Sequence, residues 1–366
     1  MSSNAPHARR PPERAPSEKP RASARRGRAE ESSEASPGRR AARAGAKGDP
    51  ALLKELHREH APFLWGLSYR LTGSAADADD LVQETFVRAL ERPPPDTTEP
   101  MRPWLARVAL NLGRDLLRRR RRRRYVGPWL PSPIETGEDA TLAGYEPVLA
   151  GERTTEGRYD LVESVSMAFL LALEVLTPKQ RAVLLLRDVF DYSVAETASA
   201  LDVSESDVKV TLHRARRALE AYDRERCIPT NELRARSRAA LESLVGALAT
   251  GDMRSAEKLL ADSATALTDG GGEFFAARKP IVGRERVLRF YRNIGKARLP
   301  HSTFEIRTIN GLPALVGIFS DRARGQPPRL VQQLVLDKEG RVRSLLSFVA
   351  TAKLTAIRFP GARALR

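Results

Sequence analysis

The sequence predicts a multidomain chain: two all-α domains, the second carrying a helix-turn-helix, followed by a C-terminal α+β domain. Three observations predict it. Three helix-capping signatures follow one another between Thr177 and Tyr222. Two amphipathic stretches with strongly charged outer faces precede them, one acidic and one ending in arginines. Period-two apolar alternation takes over beyond Ser302.

The capped stretch organises the rest. Thr177 with Pro178 and Gln180, Ser193 with Glu196, and Ser204 with Asp207 each read as the start of a helix. The middle helix is about two turns long, and Asp202-Val203 makes a tight connection into the last. Two short helices joined this way place the second in the DNA major groove. On that helix Val208, Leu212, Ala215, Leu219 and Tyr222 share an apolar stripe. Ser206, Lys209, His213, Arg216 and Arg217 lie about half a turn away, flanked by Glu205 and Arg214. An ordinary solvated face is the plain alternative to DNA contact, and many such arginines would meet phosphate rather than base edges.

Composition bounds the partners. The 366 residues are 41% apolar, enough for two or three domains with real cores, and the formal charge is +16 with a pI near 10.5. That balance points to a polyanion, nucleic acid first. No apolar run reaches the ~20 residues of a spanning helix, and the basic segments lack an opposing apolar face, so no membrane partner is expected. The only cysteine is Cys227, which leaves no internal disulfide or cysteine-rich zinc site, and the five scattered histidines have no ligand spacing. Neither metal nor cofactor is expected, and the cysteine usage fits a cytoplasmic protein.

In chain order, residues 1–50 are rich in Arg, Ala, Pro, Ser and Glu, cannot offset their ordering entropy, and read as a disordered basic tail. The first helical domain spans 51–124. Leu52, Leu56, Phe63, Leu67 and Leu71 line one helix ending at Thr72-Gly73. Ser74 and Asp77 then cap a second helix, on which Leu81, Val82, Thr85, Phe86 and Leu90 point inward and Asp77, Asp79, Asp80, Gln83 and Glu84 outward. First-turn carboxylates favour the helix dipole, and an acidic docking face for a basic partner is the other reading. A proline-rich loop leads to a third helix from Trp104 with Asn111, Arg114, Asp115 and Arg118 exposed, and seven consecutive arginines run from Arg118 to Arg124. Continuous with a helix, such a block suits phosphates. Residues 125–160 have the composition of a flexible linker, and 161–226 hold the helix-turn-helix domain.

After Cys227 the character changes. Leu233–Ala249, Ser255–Ala261 and GRERVLRFYRNIGKA read as helices; ATALTDGGGEFF reads as a strand into a glycine turn. STFEIRTI, ALVGIFSD, RLVQQLVLD and RVRSLLSFVA read as antiparallel strands, the last two joined at Lys338-Glu339-Gly340. The domain over 230–355 is α+β.

DADDLVQETFVRAL resembles region 2.2 of the extracytoplasmic-function (ECF) class of bacterial sigma factors, PWLARVALNLGRDLLRRRRR resembles regions 2.3 and 2.4, and Thr177–Tyr222 resembles region 4. The resemblance covers about 51–124 and 161–222. It implies two sigma domains that bind core RNA polymerase, with Asp77, Asp80, Gln83 and Glu84 docking on the β′ clamp helices and a further contact on the β flap. It implies recognition of the promoter −10 element around Met101–Arg118, with Asn111, Arg114, Arg118 and Arg119 as contacts, and of the −35 element by Glu205, Ser206, Lys209, His213, Arg214 and Arg217. Trp104 suits the core better than a base stack. Residues 230–355 resemble the SnoaL-like, cone-shaped domain fused to one subgroup of that family. Its linker motif stands here as Trp129-Leu130-Pro131-Ser132-Pro133, with serine for the usual acid. Its two loop motifs stand as Asp269-Gly270-Gly271-Gly272, followed by Glu273 where a lysine is usual, and as Asn310-Gly311-Leu312-Pro313-Ala314. The last motif survives only as Lys353-Leu354. These segments are the expected intramolecular contacts of a regulatory domain. The expected function is promoter-specific initiation modulated by that domain, without catalysis by the chain itself. Two alternatives are a helix-turn-helix regulator independent of polymerase and a DNA-tethered SnoaL-like isomerase or cyclase.

Overall fold

The computed structural model describes residues 50–92, 101–122, 125–136, 158–321 and 324–360. The expected basic tail, apart from Pro50, lies outside them, as do 137–157 of the linker and Arg123 and Arg124.

Helix α1 (Pro50–Thr72) stops where Gly73 takes a φ of 66°, and Ser74 starts α2 (Ala75–Glu91) by accepting the Asp77 amide. Leu81, Val82, Thr85 and Phe86 are buried as their spacing predicts. Leu90 is 39% exposed instead, since it sits in the last turn, beyond Phe86 and the core. Helix α3 (Met101–Arg122) begins three residues before Trp104, because Pro103 is tolerated in a first turn whose amides have no intrahelical acceptor. Two short helices, α4 (Leu161–Ser164) and α5 (Met167–Ala172), lead into α6 (Pro178–Asp188), α7 (Val194–Leu201) and α8 (Glu205–Ala218).

The first two capping boxes close in both directions. The third closes in one: Ser204 accepts the Asp207 amide, but the shorter aspartate does not reach back and pairs with Lys179 instead. Asp202 turns α7 into α8 with a φ of 53°. Tyr222 leaves the α8 stripe because the helix ends at Ala218 and α9 (Glu220–Arg224) begins. One hydrophobic core runs through all these helices, joining Phe63, Leu67 and Leu110 to Phe169, Leu184 and Leu212.

Helices α10 (Asn231–Thr250), α11 (Met253–Leu259) and α12 (Arg284–Arg298) lie with a six-stranded sheet: β1 (Leu260–Asp269), β2 (Ile281–Val282), β3 (Ser302–Ile309), β4 (Leu312–Phe319), β5 (Arg329–Leu336) and β6 (Val342–Phe348). Leu260 and Ala261, expected to end a helix, begin β1 instead. The order is β2-β1-β6-β5-β4-β3. β3 to β6 are antiparallel, as the alternation predicts, but β1 pairs parallel with β6 and makes the sheet mixed.

Both faces of this sheet are covered. Ala266, Leu315, Leu334 and Leu345 face α10 and α12, whereas Val316, Val331, Leu346 and Phe348 pack with Leu130, Met167, Ile357 and Phe359. The second face is therefore covered partly by the linker and the helix-turn-helix domain and partly by the residues that follow β6.

Candidate functional site

On α2, Asp80, Gln83 and Glu84 are exposed, with Glu84 bound by Arg88 at 2.9 Å. Asp77 is half-buried, its carboxylate 3.7 Å from the Arg120 guanidinium. Asp79 accepts the Trp65 indole N–H at 2.7 Å and helps line a hollow between α1 and α2 with His57 and Gln83.

The two basic helices differ. On α8, Glu205, Ser206, Lys209, His213, Arg214 and Arg217 are all exposed. None makes a side-chain hydrogen bond or ion pair among the described residues. Arg216 has left that face for a bidentate pair with buried Asp188, at 2.9 and 2.6 Å. On α3, Asn111, Arg118 and Arg119 are exposed, and Arg118 holds Asp115 at 2.8 Å. Arg114 is half-buried; burial, then the neighbouring Arg118, keeps its guanidinium below its ordinary pKa. Trp104 packs against the shared core, as a structural residue would. Arg107 donates to Ser199 of α7 at 2.7 Å, so α3 lies directly on the helix-turn-helix.

Two buried arginines stitch these helices together, and neither was legible as a site in the sequence. Arg70 on α1 donates to the Ser164 hydroxyl at 2.8 Å and to the Leu161 carbonyl at 3.2 Å. Arg181 on α6 donates to the Leu71 carbonyl at 2.9 Å. Buried guanidinium groups persist only when hydrogen-bonded in this way.

The three motif segments converge at one junction. Asn310 and Gly311, with φ of 49° and 79°, form the two-residue turn between β3 and β4, followed by buried Pro313. The Asn310 carboxamide accepts the Ile134 amide at 3.0 Å and donates to the Tyr69 hydroxyl at 2.8 Å and the Val165 carbonyl at 2.7 Å. One fully buried side chain thus touches α1, the linker and the start of the helix-turn-helix domain. Tyr69 passes the connection on by donating to the Ser132 carbonyl at 2.7 Å, and burial holds its phenol above its ordinary pKa. Gly311 N–H donates to Thr136 Oγ1 at 3.0 Å.

Asp269, fully buried, accepts the Leu130 amide at 2.8 Å and the Tyr125 hydroxyl. Gly271 and Gly272 hold φ of 57° and 80°; a Cβ on Gly272 would lie 3.1 Å from Val126, and one on Gly270 2.8 Å from Ala276. The triplet therefore turns the backbone and lets residues 125–126 approach. Lys353 donates to the Leu130 carbonyl at 2.5 Å, lies 3.7 Å from Asp269, and sits 3.9 Å over the Trp129 ring. Arg120 approaches the same indole, 4.3 Å from its centroid, so Trp129 carries two cations. Pro131 lies against Gly73, where a Cβ would meet the Trp129 ring at 2.7 Å. Burial lowers the Lys353 pKa to about 8, with Asp269 opposing that shift. Glu273, the reversed charge, accepts the Thr351 amide at 2.8 Å and so holds the short turn that presents Lys353.

Among the described residues no three His, Cys, Asp or Glu side chains converge to hold a metal, and no helix is long and apolar enough to cross a membrane. Comparison with known proteins agrees with the two-part helical reading. A model of sigma-70 region 2 matches residues 56–123, and one of sigma-70 region 4 matches 166–219. The ECF RNA polymerase sigma factor SigJ of Mycobacterium tuberculosis is 31% identical over 310 residues, covering 82% of this chain and 92% of its own. The crystal structure of that SigJ aligns with a TM-score of 0.60 at 26% identity, over 84% of this chain and 99% of the other, so the likeness includes the SnoaL-like C-terminal domain. SigL of the same species is 35% identical over 178 residues, 48% of this chain and 90% of its own, and so stops short of that domain. The chain belongs to the ECF family of RNA polymerase sigma factors, the subunits that direct bacterial polymerase to promoters.

Proposed function

We propose that this arrangement is a closed form of the sigma factor, held by its own C-terminal domain, which must open before both promoter elements are engaged. The carrying observation is the Asn310 carboxamide, which binds α1, the linker and the Val165 carbonyl at once. Elements centred about 25 base pairs apart are about 85 Å apart along B-DNA at ~3.4 Å per pair. The helices that would read them share one core here, with Arg107 2.7 Å from Ser199. Two rigid readers packed side by side do not span that distance.

In the open form Asp77, Asp80, Gln83 and Glu84 dock on the β′ clamp helices, and a surface of the helix-turn-helix domain meets the β flap. Asn111, Arg114, Arg118 and Arg119 meet the −10 element; Glu205, Ser206, Lys209, His213, Arg214 and Arg217 meet the −35 element. Trp129, Leu130, Pro131, the Asp269–Gly272 turn and the Asn310–Pro313 turn set the closed population. The chain performs no bond-making chemistry and works in the cytoplasm with the polymerase.

Transcription in vitro with purified core enzyme tests this. Asn310→Gly keeps the left-handed turn and removes the carboxamide. It should raise promoter-specific transcript relative to the unaltered chain at equal sigma concentration. Equal or lower output, with core binding intact, would overturn the closed-state reading.

A further inference from the structure

The inner face of the sheet does not close fully on α10 and α12. A cavity of about 400 Å³ remains there, within the roughly 300–1,000 Å³ of small-molecule sites. Its walls are apolar, with Leu248, Phe290, Ile294, Phe304 and Leu330 prominent, and Phe275, 73% exposed, stands at its mouth. Across the floor runs a polar row. Thr268, Ser347 and Gln332 are paired in register on β1, β6 and β5 and point to one face. Gln332 and Thr268 are each only 8% exposed, line the cavity, and make no side-chain hydrogen bond among the described residues. Ser347 Oγ and the Tyr291 hydroxyl are 3.0 Å apart; whichever donates, the other keeps a proton to give.

The Gln332 amide and the Thr268 hydroxyl open onto the chamber, so a guest that fills it must hydrogen-bond them in place of water. The row therefore calls for a ligand that brings a hydrogen-bonding end into an apolar chamber. It offers no charge to match. Arg298, the one ionised group on the wall among the described residues, is already held by Gln326, the Pro327 carbonyl and Asp321. Among the described residues no carboxylate or histidine lines the cavity to act as a base. Burial pushes the Tyr291 phenol up to about 12, so it stays a donor at neutral pH.

The sheet is one residue thick between this chamber and the junction. Thr268 faces the cavity and Asp269, its neighbour, receives the Leu130 amide. Gln332 faces the cavity, and Gln333 donates to the Ile309 and Leu312 carbonyls that flank the Asn310 turn, at 2.7 and 3.3 Å. Ala276, on the cavity wall, bears on Gly270.

We propose that this cavity binds a small uncharged ligand, apolar with one carbonyl or hydroxyl end, and that its occupancy is felt at the interdomain junction through Thr268–Asp269 and Gln332–Gln333. The coupling rests on the closed-state reading, whereas the site itself does not. A ligand acts on the closed population only by binding closed and open forms unequally, and the effect is reciprocal.

The test uses the full chain without polymerase or DNA, and an uncharged naphthalene ketone, 6-propionyl-2-dimethylaminonaphthalene, as the probe. The expected result is saturable one-to-one binding with blue-shifted emission. Gln332→Leu, which keeps the volume and removes the amide, should weaken it roughly tenfold. Leu330→Trp should fill the chamber and abolish it. Bound probe should also change hydrogen exchange at the Leu130 and Gly311 amides, and Asn310→Gly should shift probe affinity.

No saturable binding overturns the site. So does binding that both variants leave unchanged; should Leu330→Trp not fold, Gln332→Leu decides alone. A naphthalenesulfonate that binds as tightly overturns the uncharged assignment, and binding that falls as the protein dimerises gives the chamber to a second copy. Binding without any change at Leu130, Gly311 or in Asn310→Gly overturns the coupling alone. Because core enzyme is absent, none of these outcomes bears on transcription by the open form.

Discussion

Helices α3 and α8 carry the same chemistry and stand in different circumstances. On α8 six polar side chains are exposed and make no side-chain hydrogen bond or ion pair among the described residues. On α3, Arg107 is on the helix-turn-helix, Arg114 is half-buried, and Arg120 is drawn to Trp129, Asp77 and Glu174. The difference teaches that a basic helix is not a DNA-binding surface until its cations are free of competing anions and rings. One basic face is presented; the other helix shares its end with a junction built from linker and C-terminal domain.

The largest effect that would break this comparison is expected at Lys353. Lys353→Met removes the donor that the buried Leu130 carbonyl accepts from, at a cost of about 3 kcal/mol for a buried group left unsatisfied. Denaturant unfolding should show that loss as a separate early transition of the junction, and Arg120 should become available to DNA. A single unshifted transition would mean that the junction does not depend on this lysine.

Reversing charge at Lys209 or Arg217 acts on the free helix. Either change should weaken upstream promoter DNA binding by about 1–3 kcal/mol and lower the salt slope by about 1 for a phosphate contact. Binding to core polymerase, titrated separately, should stay as it was.

A smaller effect is pH dependence. Below about pH 8 Lys353 is charged whether docked or released, and burial penalises the docked charge. Between about 8 and its ordinary 10.5 the released lysine still holds the proton that the docked one has given up, so docking strengthens as pH rises. The junction transition should move to higher denaturant from pH 8 to 10, and Lys353→Met should erase the difference.

The smallest is chemical. Burial, then the Glu163 carboxylate, pushes the Cys227 thiol up to about 11 from 9.0. Iodoacetamide should modify it about a hundredfold more slowly than an ordinary cysteine at neutral pH, because the thiolate is the nucleophile. Rapid labelling would show that this end of α9 opens readily.

What was legible beforehand follows physical range. The capping boxes at Thr177 and Ser193 and the α8 stripe from Val208 to Ala215 depend on residues within four positions of each other, and they stand as read. Arg216 could not be told from its neighbours on α8, because its partner Asp188 is 28 residues away. The reversed charge at Glu273 was visible only as a departure, and its purpose appears when Thr351, 78 residues on, lies against it. The parallel pairing of β1 with β6 is likewise hidden from alternation, which marks strands without ordering them.

The amino-acid order by itself determined the helices, their caps, the charged faces and the run of strands, since each arises from local hydrogen bonding and apolar periodicity. Only the tertiary structure decided that Asn310 would bind Tyr69 across 241 residues, that two arginines would join the sigma helices, and that a polar row would line a chamber one residue from the junction. Those contacts come from packing, where burial forces each polar group to find whichever partner the fold brings near.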